Sequence, residues 1–157
     1  MRTLYFDIDG TVLTLGSGEP KSALERGSLE RTIREAKVDE LVCVGNFVGV
    51  IRTVWTIQPE YDGLGAVFTL CRGVFEDEIW FRALTRLVVN PARRAAEVEL
   101  REDWWYMDDQ AEKYFRDADL VRVFREHHGR RILQPSPTGD GHDVLEWIHS
   151  IPGRNAF

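Results

Sequence analysis

The run Leu4-Tyr5-Phe6-Asp7-Ile8-Asp9-Gly10-Thr11 constrains this chain more than any other stretch. Residues 3–8 are apolar and aromatic and read as a buried strand, which the Asp-Gly pair ends in a turn. Side chains two apart on a strand share a face, so Asp7 and Asp9 leave the strand end together. In an open parallel sheet, ligands bind beyond the carboxyl ends of the strands. Two carboxylates at such a place repel, and each is hard to ionise unless a cation sits between them. Mg²⁺ suits that position, because it takes hard oxygen ligands and commonly bridges protein carboxylates to phosphate. The plainer alternative is a pair of solvated aspartates capping a strand, with Gly10 supplying positive φ. Four specified positions directly after an apolar strand favour the chemical reading.

The rest of the chain alternates strand and helix patterns. Residues 12–20 carry turn chemistry in Gly16-Ser17-Gly18-Glu19-Pro20, and residues 22–36 place Ala23, Leu24, Leu29 and Ile33 at helical spacing. Residues 39–44 form a second apolar strand that closes at Gly45-Asn46. Residues 47–57 fit a helix, 59–65 a loop and 66–70 a third strand. Residues 76–89 read as a helix ended by Asn90-Pro91, and 104–107 as a fourth strand running into Asp108-Asp109. A helix follows over 111–127, with Gly129 as its stop, then a short strand over 131–133, a loop over 135–141 and a closing helix over 144–151. This alternation predicts an α/β fold, a three-layer α/β/α sandwich with a mostly parallel central sheet.

With 157 residues, 43% of them hydrophobic and 29% charged, the chain fits one globular domain spanning 1–157. Its net charge of −6 offers no general basic field, which argues against nucleic acid as a partner. No run approaches the roughly 20 apolar residues of a membrane span, and Met1-Arg2-Thr3-Leu4 lacks the apolar stretch of a signal peptide, so a cytoplasmic protein without a membrane partner is expected. Cys43 and Cys71 lie in apolar runs and read as buried reduced thiols.

At its first motif the sequence resembles the haloacid dehalogenase superfamily, in which an apolar strand is followed by Asp-x-Asp-Gly-Thr. The resemblance implies a Mg²⁺-dependent phosphomonoester hydrolase. Asp7 would be the nucleophile that forms an aspartyl-phosphate, and Asp9 the acid that protonates the leaving oxygen and later the base for water. Mg²⁺ would be held by the Asp7 carboxylate and the Asp9 backbone carbonyl, with Gly10 and Thr11 beside the phosphate. Asp108-Asp109, after Trp104-Trp105-Tyr106-Met107, resembles the acidic pair that completes the metal site, with Asp109 the preferred ligand and Asp108 the second choice.

Two expected groups have no direct counterpart. A Ser or Thr hydroxyl is expected where Gly45-Asn46 stands, leaving the Gly45 N–H and the Asn46 amide to bind phosphate. Restoring it by Gly45→Ser is expected to raise the rate, provided the backbone is not at positive φ. The expected lysine is also missing, since only Lys21, Lys37 and Lys113 occur. Arg93 or Arg94, with Arg94 the choice for a phosphate contact, would supply the charge; the simpler alternative is arginines solvated on a helix face. Gly139-Asp140-Gly141 imitates the acidic motif but follows Pro135 and Pro137, which no strand tolerates. The elements between Asp9, Gly45 and Asp103 leave no room for a separate cap domain. The partner implied is a phosphorylated substrate, a small molecule or a macromolecule; an open site suits a large one, or closure by another subunit of a homo-oligomer. The alternative is a catalytically degenerate protein that binds metal or a phosphorylated ligand in a regulatory or interaction role. Arg122, Arg125, Arg130 and Arg131 read as a solvated helix end, His127, His128 and His142 as polar surface, and the tryptophans as packing.

Overall fold

Strand β1 (Arg2–Asp7) is buried along its whole length because it has a neighbour on each side. The computed structural model describes residues 1–8, 11, 24–25, 27–45, 48–49, 51–52, 75–88, 94–135 and 142–153. β1 pairs in parallel with β2 (Glu40–Val44) and with β4 (Asp103–Met107). β3 (Thr85–Leu87) extends the sheet beyond β2, and β5 (Ile132–Leu133) extends it beyond β4, giving the order β3-β2-β1-β4-β5. All four pairings are parallel, which explains the near-continuous apolar character of the inner strands.

Alternation along the strands sorts two cores. Leu4, Phe6, Leu41, Cys43, Trp105 and Met107 face one side. There they meet Leu29 and Ile33 of α1 (Ser28–Glu35), Phe81 of α2 (Glu78–Leu84) and Val144, Trp147 and Ile148 of α5 (His142–His149). Tyr5, Val42, Val44, Trp104 and Tyr106 face the other side. They are covered by Ala95 and Val98, by Ala111 and Phe115 of α3 (Ala111–Asp117) and by Phe124 of α4 (Val121–His127). The result is the expected α/β fold with helices on both faces of a parallel sheet. No helix among the described residues is long and apolar enough to cross a membrane.

Several element boundaries differ from the sequence reading. The helix expected over 22–36 begins only at Ser28, because Gly27 adopts φ 74, outside helical space; a Cβ there would also press on the Glu76 carboxyl at 3.1 Å. The helix expected over 76–89 ends at Leu84, and Thr85–Leu87 joins the sheet, pairing with Leu41, Val42 and Cys43. Long-range pairing there overrides a helix-compatible local pattern. The helix expected over 111–127 is two helices, broken where Asp119 takes φ 59. The closing helix starts at His142 and stops at His149. Val48, Gly49, Ile51 and Arg52 are helical, as expected. The turn segment 12–20, the loop 59–65 and the strand expected over 66–70 lie outside the described residues.

Candidate active site

β1 and β4 run side by side with Phe6 opposite Met107, so the next residues, Asp7 and Asp108, emerge together at the carboxyl ends of two central strands. Both share the face of Tyr5 and Tyr106 and both are buried, Asp7 with 3% and Asp108 with none of its surface exposed. Asp109, half-buried, completes a cluster in which Asp7, Asp108 and Asp109 each offer a carboxylate oxygen within 4.8 Å of the others.

Thr11 ties the two loops together. Its hydroxyl donates to Asp7 Oδ2 (3.3 Å) and accepts from the backbone N–H of Asp109 (3.1 Å). The sequence places Thr11 beside phosphate; its hydroxyl instead bridges the Asp7 carboxylate and the Asp109 backbone N–H.

Arg94 is not the solvated helix residue of the simpler reading. Ala95 and Val98 anchor its segment to the second face of the sheet, and Arg94 is buried. Its Nη1 donates to Asp108 Oδ2 at 2.9 Å and lies 3.8 Å from Asp7 Oδ1, while its guanidinium carbon sits 3.4 Å from the centre of the Tyr114 ring. Tyr106 also donates to Asp108 Oδ2 (3.1 Å), and the Gln110 N–H donates to Asp108 Oδ1 (2.9 Å). Tyr106 and Tyr114 were missed in the sequence. Tyr106 stands two residues before Asp108 and so on its face, a usable signal; Tyr114 carries none, since its role comes from packing across the fold.

Gly45 fails the proviso attached to its replacement, because its backbone is at positive φ. Its φ is 100, and a Cβ there would collide with Asp7 Oδ1 and meet Arg94 Nη1 at 3.4 Å. A serine is therefore strained in backbone and short of space, and Gly45→Ser is not a route to a better site. The glycine lets the Asp7 carboxylate lie against the end of β2.

Among the described residues, three carboxylates of the cluster share the single guanidinium of Arg94. Burial pushes the Asp7 carboxyl well above the usual range, and the charges of Asp108 and Asp109 add to this against the pull of Arg94. Burial likewise raises Asp108, although Arg94 and the Gln110 N–H oppose it. Tyr106 is held far above its ordinary value, by burial first and then by Asp108. These carboxylates can accept a cation, and the guanidinium side can accept an anion. Asp9, Gly10 and Asn46 lie outside the described residues, as do Asn90, Pro91, Arg93 and residues 139–141. Compared with protein-family models, with curated proteins and with solved structures, the chain matches none.

Proposed function

We propose that the chain is a Mg²⁺-dependent phosphomonoester hydrolase working through an aspartyl-phosphate, as its resemblance to the haloacid dehalogenase superfamily implies. One observation carries the reading: the oxygens of Asp7, Asp108 and Asp109 converge within 4.8 Å at the carboxyl ends of neighbouring parallel strands, with Arg94 beside them. The donor set fits Mg²⁺, being hard carboxylates without sulfur or imidazole, and burial, with the neighbouring carboxylates adding to it, makes Asp7 and Asp108 hard to ionise unless a cation joins them. Asp7, Asp108 and Asp109, with the Asp9 carbonyl, would hold the ion. When bound, it supplies positive charge that keeps the carboxylates ionised and offsets charge on the transferring phosphoryl group.

The chain's own residues do the rest. Thr11 orients the Asp7 carboxylate through its hydroxyl. Asp7 attacks phosphorus, the bond to the leaving oxygen breaks, and Asp9 gives that oxygen a proton. Asp9 then takes a proton from the water that attacks the aspartyl-phosphate, which releases phosphate and restores Asp7. Arg94, with Gly10, Gly45 and Asn46, binds the phosphoryl oxygens. The enzyme would act in the cytoplasm on a phosphorylated small molecule or macromolecule, its site either open to a large substrate or closed by another subunit of a homo-oligomer.

A second reading, a weakly catalytic protein that binds Mg²⁺ or a phosphorylated ligand, is favoured by Gly45, where the space a hydroxyl would need is filled by Asp7. Hydrolysis of 4-nitrophenyl phosphate with and without Mg²⁺ separates the two. The enzyme gives turnover that needs the metal; calorimetric Mg²⁺ binding without turnover on a broad panel of phosphoesters supports the binder.

A further inference from the structure

A cleft lies away from the acidic cluster, beside the middle of β4. It has a volume of about 380 Å³ and opens beside edge strand β5, lined in part by Trp105, His127, Arg130, Arg131, Ser150 and Pro152. Trp105 stands three residues before Asp108, roughly 10 Å back along the strand at about 3.3 Å per residue. None of the described residues lining the cleft belongs to the acidic cluster.

The cleft differs in character from the chain around it. The molecule carries a net charge of −6, yet the described lining has two guanidiniums and an imidazole and no carboxylate. The Arg131 guanidinium lies over both indoles, 5.1 Å from the Trp105 ring centre and 5.6 Å from that of Trp104. Its Nη1 is steadied by the carbonyls of Trp104 (2.9 Å) and Glu102 (3.3 Å). Stacked and tethered, this planar fork is pre-set rather than free to sweep through solvent. Arg130 is exposed at the rim and held by the Glu126 carbonyl at 2.8 Å. The walls are fixed as well: Trp147 Nε1 donates to the Arg130 carbonyl (2.7 Å), and buried Arg2 donates to that of Pro152 (2.7 Å). The Trp105 Nε1–H is already committed to Asp103 (2.6 Å), so the indole offers this cleft an apolar surface rather than a donor.

An apolar indole wall, two fixed cations and a volume near the lower end of the roughly 300–1,000 Å³ of small-molecule sites define one ligand class. We propose that this cleft binds a small planar anion, an aromatic or heteroaromatic ring carrying a phosphate, sulfate or carboxylate, whose ring lies along Trp105 and whose anionic group is taken by Arg130 and Arg131. The proposal is independent of the chemistry assigned to the acidic cluster.

The test uses the full chain and naphthalene-2-sulfonate as probe, followed by calorimetry and by NMR of the indole N–H signals. Saturable binding is expected, with the Trp105 signal shifting. Uncharged 2-naphthol and inorganic sulfate should each bind at least tenfold more weakly. Arg131→Ala should weaken the probe at least tenfold. Should that variant fail to fold, Arg130→Glu, at an exposed position, should weaken it at least fivefold. Asp7→Asn should leave the probe's affinity unchanged. Equal binding of 2-naphthol, indifference to both arginine changes, loss of binding in Asp7→Asn, or no saturation at millimolar probe would each overturn the proposal.

Discussion

At the amino end of β1, Arg2 is 2% exposed; at the carboxyl end of the same strand, Asp7 is 3% exposed. The two are buried alike and treated differently. The Arg2 guanidinium donates to Asp103 (2.9 Å), to the Ala36 carbonyl (2.5 Å) and to the Pro152 carbonyl (2.7 Å). Its backbone exchanges bonds with Asp39. That end of the sheet is a knot in which β1, β4 and the segments after α1 and α5 meet on one satisfied cation. Asp7 instead faces two further carboxylates, with Arg94 shared between it and Asp108. A buried charge with all its partners serves the fold, whereas one left short of compensation is poised for a ligand or a reaction.

Asp7→Asn probes the frustrated end and should have the largest effect. Turnover of an aryl phosphate should fall about ten-thousandfold, roughly 5 kcal/mol of transition-state stabilisation, because an amide is not a nucleophile. Stability should move the other way. The folded-state pKa of Asp7 lies above its unfolded value, so the ionised group opposes folding at neutral pH. In metal-free buffer the variant should therefore unfold at higher urea than the wild type, by a margin that shrinks as pH falls towards 4. Equal or lower stability of the variant at pH 7 would erase the contrast between the two ends.

Arg2→Met probes the satisfied end. Removing the cation strands the partly buried Asp103 carboxylate and two carbonyls, which should cost about 3–5 kcal/mol, or roughly 10 °C in melting temperature. Turnover per folded molecule should not change, as active-site titration against total protein will check. A variant that melts normally but loses turnover would mean that the amino end serves the chemistry after all.

Gly45→Ser tests the boundary between the two kinds of residue. Strain at positive φ and the collision with Asp7 should lower stability by about 1–3 kcal/mol and slow turnover, read by melting and by kcat on the same sample. A faster variant would mean that the loop opens to admit the hydroxyl.

What could be read from the sequence follows the same division. The buried strand and its terminal aspartate were legible because an apolar run ending in Asp-x-Asp-Gly-Thr is a local signal. The acidic pair after Tyr106-Met107 was legible for the same reason. Arg94 was not decidable, because its burial depends on Tyr114 and Asp108, which only the folded chain brings to it. Gly45 was read as a lost hydroxyl, although what requires a glycine is the carboxylate of Asp7, 38 residues earlier in the chain. Thr85–Leu87 carries a helix-compatible local pattern, and only its pairing with β2 makes it a strand.

Glu30 supplies the smallest and most discriminating test, since it is a buried carboxylate that accepts two backbone N–H groups and an arginine. Its Oε2 accepts from the backbone N–H groups of Glu76 (2.8 Å) and Asp77 (3.1 Å), and its Oε1 from Arg34 (3.0 Å). Burial pushes its carboxyl up, but those backbone donors and the arginine outweigh it, and the net shift is downward, opposite to Asp7. A carboxylate with a depressed folded pKa contributes stability above its unfolded value, here about 4.5, and loses it as pH falls through the folded one. Glu30→Gln should therefore destabilise by about 1–2 kcal/mol at pH 7, with the difference from wild type fading below about pH 4.5. Urea titrations of both proteins at pH 7, 5, 4 and 3 measure this directly. A difference that persists or grows at pH 3 would show that the site needs the shape of the side chain and not its charge. The opposite titrations of Glu30 and Asp7 would then no longer reflect partners alone.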